Sequence, residues 1–172
     1  KNNITFYILP RGFLKEIYQF FFKQDDMSKL GDYFTKLKKK KQIEKKNAYT
    51  KFLTLSFKHI NKNLKFDCYI SFNLFYYAEK YFEEVCKNLN SKFIILQKES
   101  IFTPSEEASA LEIYKKHNDK SLASKVSVYS ESQKKILIRS GIINSKKIFV
   151  NGNPRCDYSF KLRKLKPKEK LI

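Results

Sequence analysis

Apolar residues recur at a helical period through the first third of the chain and change to short runs separated by helical stretches from about residue 66 onward. Ile4 to Leu9 is β-branched and aromatic and is ended by Pro10, which predicts a strand. Gly12 to Lys23 then sets Phe13, Ile17, Phe20 and Phe21 at helical spacing. Ser28 to Lys46 carries Leu30, Tyr33, Phe34 and Leu37 before the run Lys38 to Lys41, an amphipathic helix whose basic end suits a helix carboxyl terminus. Ala48 to Asn61 repeats the pattern with Phe52, Leu55 and His59.

In the second part the pattern predicts strands at Phe66–Phe72, Lys92–Leu96, Val126–Tyr129 and Ile148–Val150. Lys92–Leu96 is continuously apolar, as expected of a strand covered on both faces. Leu74 to Leu89 presents Leu74, Ala78, Tyr81, Phe82, Val85 and Leu89 on one helical face and closes at Asn90. Thr103-Pro104-Ser105-Glu106 has the order of a capping box, with Pro104 at the first helical position and Glu106 reaching back to the Thr103 amide. Ser130 and Gln133 form a second such box, and the helix it opens, Glu131 to Ser140, ends at Gly141. Alternating strands and helices with long crossovers predict an α/β fold, a doubly wound and mostly parallel Rossmann-like sheet.

Composition changes this picture little. No apolar run approaches the length that crosses a bilayer, and 42% hydrophobic residues argue against disorder. The net charge of +19 attracts phosphate-bearing partners, but lysine is enriched together with Asn, Ile, Phe and Tyr and is spread over every segment. That joint bias is what AT-rich codons produce, so charge alone does not make a nucleic-acid binder. Cys68, Cys86 and Cys156 have no metal-ligand spacing and suit a reducing compartment, and two histidines exclude a His-rich metal site. No metal and no cofactor are expected. The chain opens on Lys1 and stops at Leu171-Ile172 as an apolar segment begins, which leads us to expect a piece of a longer protein.

Ligands of an open parallel sheet bind beyond the carboxyl ends of the strands. Three tips qualify: Gln97-Lys98-Glu99-Ser100, Tyr129-Ser130-Glu131-Ser132, and Asn151-Gly152-Asn153-Pro154-Arg155-Cys156-Asp157. Free N–H groups at the helix start after Ser130 can hold an anion. Gly152 and Asn153 allow a tight or left-handed turn, and Pro154 stops the strand. Arg155 offers a fork for phosphate or carboxylate, while Asp157 either pairs with it or anchors the turn. Glu99 is placed as a general base or as a helix-flanking acid. Four glycines make neither GxGxxG nor a Walker loop.

The stretch from Lys92 to Asp157, with KFIIL leading into QKES, TPSEE, VSVYSESQKKILIRSGI and KKIFVNGNPRCD, resembles the end of the amino-terminal domain of GT-B-type glycosyltransferases. Its last phrase looks most like the GNPR-x-D signature of bacterial surface-carbohydrate biosynthesis proteins and CDP-glycerol glycerophosphotransferases. UDP-N-acetylglucosamine 2-epimerases share the order of elements. The resemblance implies that residues 1–160 are the acceptor-side domain, with a helical basic segment at 10–62. It further implies that 161–172 link to a donor-binding domain, and that Gly152, Asn153, Pro154, Arg155 and Asp157 lie near the interdomain cleft. The implied enzyme is a cytoplasmic glycosyl- or glycerophosphotransferase of surface-polysaccharide or teichoic-acid-like polymer synthesis. It would use a nucleotide-activated sugar or CDP-glycerol donor and a polymer or lipid-linked acceptor.

In that reading Glu99 takes the acceptor proton while Lys98, Ser130 and Arg155 hold polar or anionic groups of the substrate. Relatives often carry a histidine where this chain has Gln97, so the base must be Glu99 or activity is in question. The lysines of residues 36–46 can also dock on the anionic inner face of the plasma membrane. Two alternatives stay open: an epimerase half on the same fold, and a basic nucleic-acid-binding module with Phe72 and Tyr76 as stacking platforms. The core spacing of those aromatics argues against nucleic acid as partner.

Overall fold

In a computed structural model, the structure describes residues 4–10, 12–22, 40–74, 77–98, 103–117 and 120–157, with the side chains of Tyr77, Pro104, Lys116, His117 and Arg155 also outside the described set. The expected helix start at Ser28, Lys36, Lys38 and Lys39 of the expected docking run, Tyr76, Glu99 and the basic segment 161–172 lie outside these residues.

Helix α1 spans Phe13–Phe21 and follows Gly12, whose φ of 88° is left-handed. Helix α2 runs unbroken over Lys40–Leu64. After it come β1 (Cys68–Ser71), α3 (Tyr77–Asn88), β2 (Lys92–Leu96), α4 (Pro104–His117), β3 (Lys125–Val128), α5 (Glu131–Ser140) and β4 (Ile148–Val150). The four strands form one sheet, all parallel, in the order β1-β2-β3-β4. The fold is thus the expected Rossmann-like α/β architecture.

Local chemistry explains most boundaries. The Thr103 amide donates to Glu106 Oε2 at 2.7 Å, the backward arm of the predicted capping box. This bond to the ionised carboxyl holds the exposed Glu106 below its ordinary pKa. At α5, Ser130 Oγ accepts from Gln133 N–H at 3.2 Å. Gln133 Oε1 in turn takes the Tyr129 amide at 3.3 Å, one residue earlier than a regular capping box. Gly141 closes α5 with φ 73°, and Asn90 turns the chain after α3 with φ 53°.

The register brings Tyr69 beside Phe93, and Ile95, Val126 and Ile148 side by side, on one face of the sheet. These residues are buried under the helices, where the Phe82 ring of α3 meets Tyr69 at 5.4 Å and Phe93 at 5.9 Å. Helix α2 joins this core through Tyr49, Leu53 and Phe57, and Tyr49 Oη donates to the Ala78 carbonyl at 3.2 Å. Each such large side chain contributes about 1.5–3 kcal/mol by leaving water. The opposite sheet face is not closed among the described residues: Ile70, Phe72, Leu96 and Phe149 stay substantially exposed.

Four expectations need correction. Ile4–Leu9 forms no strand; the segment is exposed, Ile8 by 90%, and gains no ladder partner, although Tyr7 meets Phe66 edge-on at 5.4 Å. High β-propensity without a neighbouring strand leaves backbone groups to water. The predicted helix boundary between Lys46 and Ala48 is absent, because no Gly or Pro interrupts that stretch. Phe52, Leu55 and His59 face outward, since α1 and α3 cover the Tyr49–Leu53–Phe57 stripe instead. Finally, the described residues cover Lys92–Leu96 on one face only, Phe93 and Ile95 being buried and Leu96 exposed.

Candidate functional site at the carboxyl-terminal rim

Because every strand runs the same way and the register ends the four strands within two residues of one another, the strand tips arrive together at one edge. Backbone bonds continue the alignment past the strands: Gln97 N–H donates to the Ser127 carbonyl at 2.9 Å, Lys98 N–H to Phe72 at 3.1 Å, and Asn151 N–H to Val128 at 3.0 Å. Positions 97–98, 129–132 and 151–157 therefore share one rim. The end of β1 adds a fourth tip, Phe72-Asn73-Leu74, which sequence reasoning passed over. Its signal was present in the polar Asn73 directly after the aromatic run.

Gln97 is not a cleft residue. Its side chain is buried, and its Oε1 accepts the Leu74 amide at 2.7 Å, tying the β2 tip to the loop after β1. A buried amide in this place satisfies a backbone donor that would otherwise cost about 1–3 kcal/mol. Lys98, by contrast, is exposed on the rim. Glu99, the expected proton acceptor, lies outside the described residues.

At the next tip, Ser130 is committed to capping α5 through its hydroxyl oxygen. The Ser132 hydroxyl donates to the Glu107 carboxylate of α4, and Glu131 stands exposed in the first turn. Two carboxylates thus crowd the helix start that was expected to attract an anion. They offset the partial positive charge of its free N–H groups.

At the last tip, Gly152 takes φ 73° in the predicted left-handed turn, and Pro154–Cys156 wind into a single 3-10 turn closed by Cys156 N–H to the Asn153 carbonyl at 2.9 Å. Asn151 Nδ2 donates to Ser127 Oγ at 3.0 Å, pinning the turn to β3. Gly152 and Asp157 are exposed and Asn153 is half-buried, while Arg155 occupies the middle of the 3-10 turn. The structure therefore brings Lys98, Ser130, Gly152, Asn153, Asp157 and the Arg155 backbone to one edge. Whether Arg155 pairs with Asp157 falls outside the described side chains.

The described rim supplies hydroxyl, amide, carboxylate and backbone groups with a lysine at its flank. Such a surface suits a polyhydroxylated ligand better than a pyrophosphate, which needs a nest of free N–H groups.

In comparisons with known protein families, characterised proteins and solved structures, the chain shows no match. Among the described residues, no helix is long and apolar enough to cross a membrane.

Proposed function

We propose that this rim is the acceptor side of a transferase that moves a sugar or a glycerol phosphate from a nucleotide-activated donor to the hydroxyl of a polymer or lipid-linked acceptor. The observation that carries the reading is the convergence of Lys98, Ser130, Gly152, Asn153 and Asp157 on one edge of a parallel sheet. The likeness of Asn151 to Asp157 to the GNPR-x-D signature agrees with it. Among the described residues the rim shows polar groups and no pyrophosphate cradle, which fits the acceptor rather than the donor. In this reading a second domain of similar architecture binds CDP-glycerol or a nucleotide sugar and closes over the rim. Glu99 takes the acceptor proton, and Arg155 with Lys98 holds its anionic groups.

Titration of the isotope-labelled chain with short poly(glycerol phosphate) and with neutral oligosaccharides, followed by amide chemical shifts, tests the proposal. Shifts clustered at 98, 130–132 and 151–157 are expected. Shifts elsewhere, or none at millimolar ligand, overturn it.

A second reading, a nucleic-acid-binding module, draws support from one place. On the uncovered sheet face Phe72 and Phe149 are exposed, and Lys125 Nζ stands 4.3 Å from the centre of the Phe149 ring. Salt-dependent oligonucleotide binding that is lost in Phe72→Ala and Phe149→Ala favours it over the transferase.

A further inference from the structure

The outward turn of Phe52 and Leu55 leaves an apolar patch on a highly charged helix. Phe52 is 47% exposed and Leu55 59%, and on the neighbouring helix Phe20 is 84% exposed. The rings form a chain across the two helices, Phe20 to Phe21 at 5.5 Å and Phe21 to Phe52 at 5.7 Å. Residues Ala48, Phe52, Leu55 and His59 fall on one helical stripe, distinct from the buried Tyr49–Leu53–Phe57 stripe. The protein thus holds α2 by one stripe and displays the other.

On α2 the surroundings of the patch are cationic, while α1 adds the exposed Lys15 and Glu16. Lys41, Lys51, Lys58 and Lys62 are exposed on α2, whose only acidic residue is Glu44. Lys46, placed in the expected docking run, is instead turned inward to an ion pair with Glu84 and lies 5.3 Å from the centre of the Tyr81 ring. Docking by this helix therefore depends on its exposed lysines and its aromatic stripe together.

We infer that the outer face of α1 and α2 is a docking surface for an anionic lipid bilayer. Phe20, Phe52 and Leu55 enter the headgroup boundary while the flanking lysine stems lie along it with their ammonium groups at the phosphates. Charge complementarity selects this occupant over a second copy of the chain. Two facing copies would bring like lysine sets together on molecules that each carry +19. The surface is separate from the rim, so the inference stands or falls independently of the transferase reading.

The chain contains no tryptophan, which makes Phe52→Trp a clean fluorescent reporter. Its emission is expected to shift to the blue with vesicles of mixed phosphatidylcholine and phosphatidylglycerol. The shift should shrink with phosphatidylcholine alone and reverse in high salt. In co-sedimentation with the mixed vesicles, Phe20→Ser combined with Leu55→Ser should weaken binding at least about tenfold, and Lys51→Glu with Lys58→Glu should do the same. Circular dichroism checks that these surface variants stay helical, and the reporter reads binding on the otherwise unchanged chain if one of them does not. An unshifted emission spectrum overturns the inference. So does parental affinity in folded variants, an equal blue shift with a soluble oligonucleotide, or a blue shift that tracks dimerisation without vesicles.

Discussion

At the carboxyl-terminal end of the sheet the buried polar side chains are uncharged, Ser71, Asn73, Gln97 and Gln133, whereas at the opposite end a carboxyl is buried. Glu83 of α3 is 3% exposed and accepts from Ser121 Oγ at 2.8 Å and from the Leu122 amide at 2.6 Å, fastening the segment that leads into β3. Lys147 adds a bond from its ammonium to the Ala123 carbonyl at 2.9 Å, just ahead of β4. Buried amides clamp the rim, and a buried carboxyl clamps the base. Loss of water raises the Glu83 pKa to about 7 even though two hydrogen bonds and the nearby Lys80 and Lys147 pull it down. The base therefore titrates near neutrality, while the Gln97 and Gln133 clamps of the rim are amides and do not titrate.

Glu83→Ala offers the harshest break of this contrast, because it leaves the Ser121 and Leu122 donors buried without acceptors. Urea unfolding should show a loss of roughly 2–5 kcal/mol. The parent chain should also lose stability with rising pH. The folded pKa of Glu83 exceeds its unfolded value near 4.5, so its contribution is complete below pH 4.5 and fades as pH passes 7. The full swing is roughly 3 kcal/mol, and Glu83→Gln should flatten that part of the profile. At the rim, Gln97→Ala should cost about 1–3 kcal/mol at every pH, by orphaning the Leu74 amide. Ser130→Ala should cost about 1 kcal/mol in thermal melts, the worth of one helix cap. A pH-dependent penalty for Gln97→Ala, or a flat profile for the parent, would erase the distinction between the two ends.

Much of the α/β part was legible because its signals are local. Lys92–Leu96, Glu131–Ser140 and Ile148–Val150 appear with the bounds that apolar runs, caps and Gly141 suggested. The rim was legible for the same reason: a parallel sheet sends its tips to one edge once the order of elements is known. Ile4–Leu9 misled because strand formation needs a partner that no local pattern reveals. Helix α2 misled because it carries two apolar stripes, and which one is buried depends on α1 and α3. The clamps were invisible for a related reason. Gln97 meets Leu74 across 23 residues, and Glu83 meets Leu122 across 39. Such pairs follow from tertiary placement alone.

The order β1-β2-β3-β4 means that each strand is laid against the one synthesised just before it. During translation β1, α3 and β2 have all their mutual contacts within reach before β3 emerges, and each later strand meets an edge already in place. No strand waits for a distant partner, so the sheet can assemble by extension from its first edge, with little loop entropy to overcome at any stage.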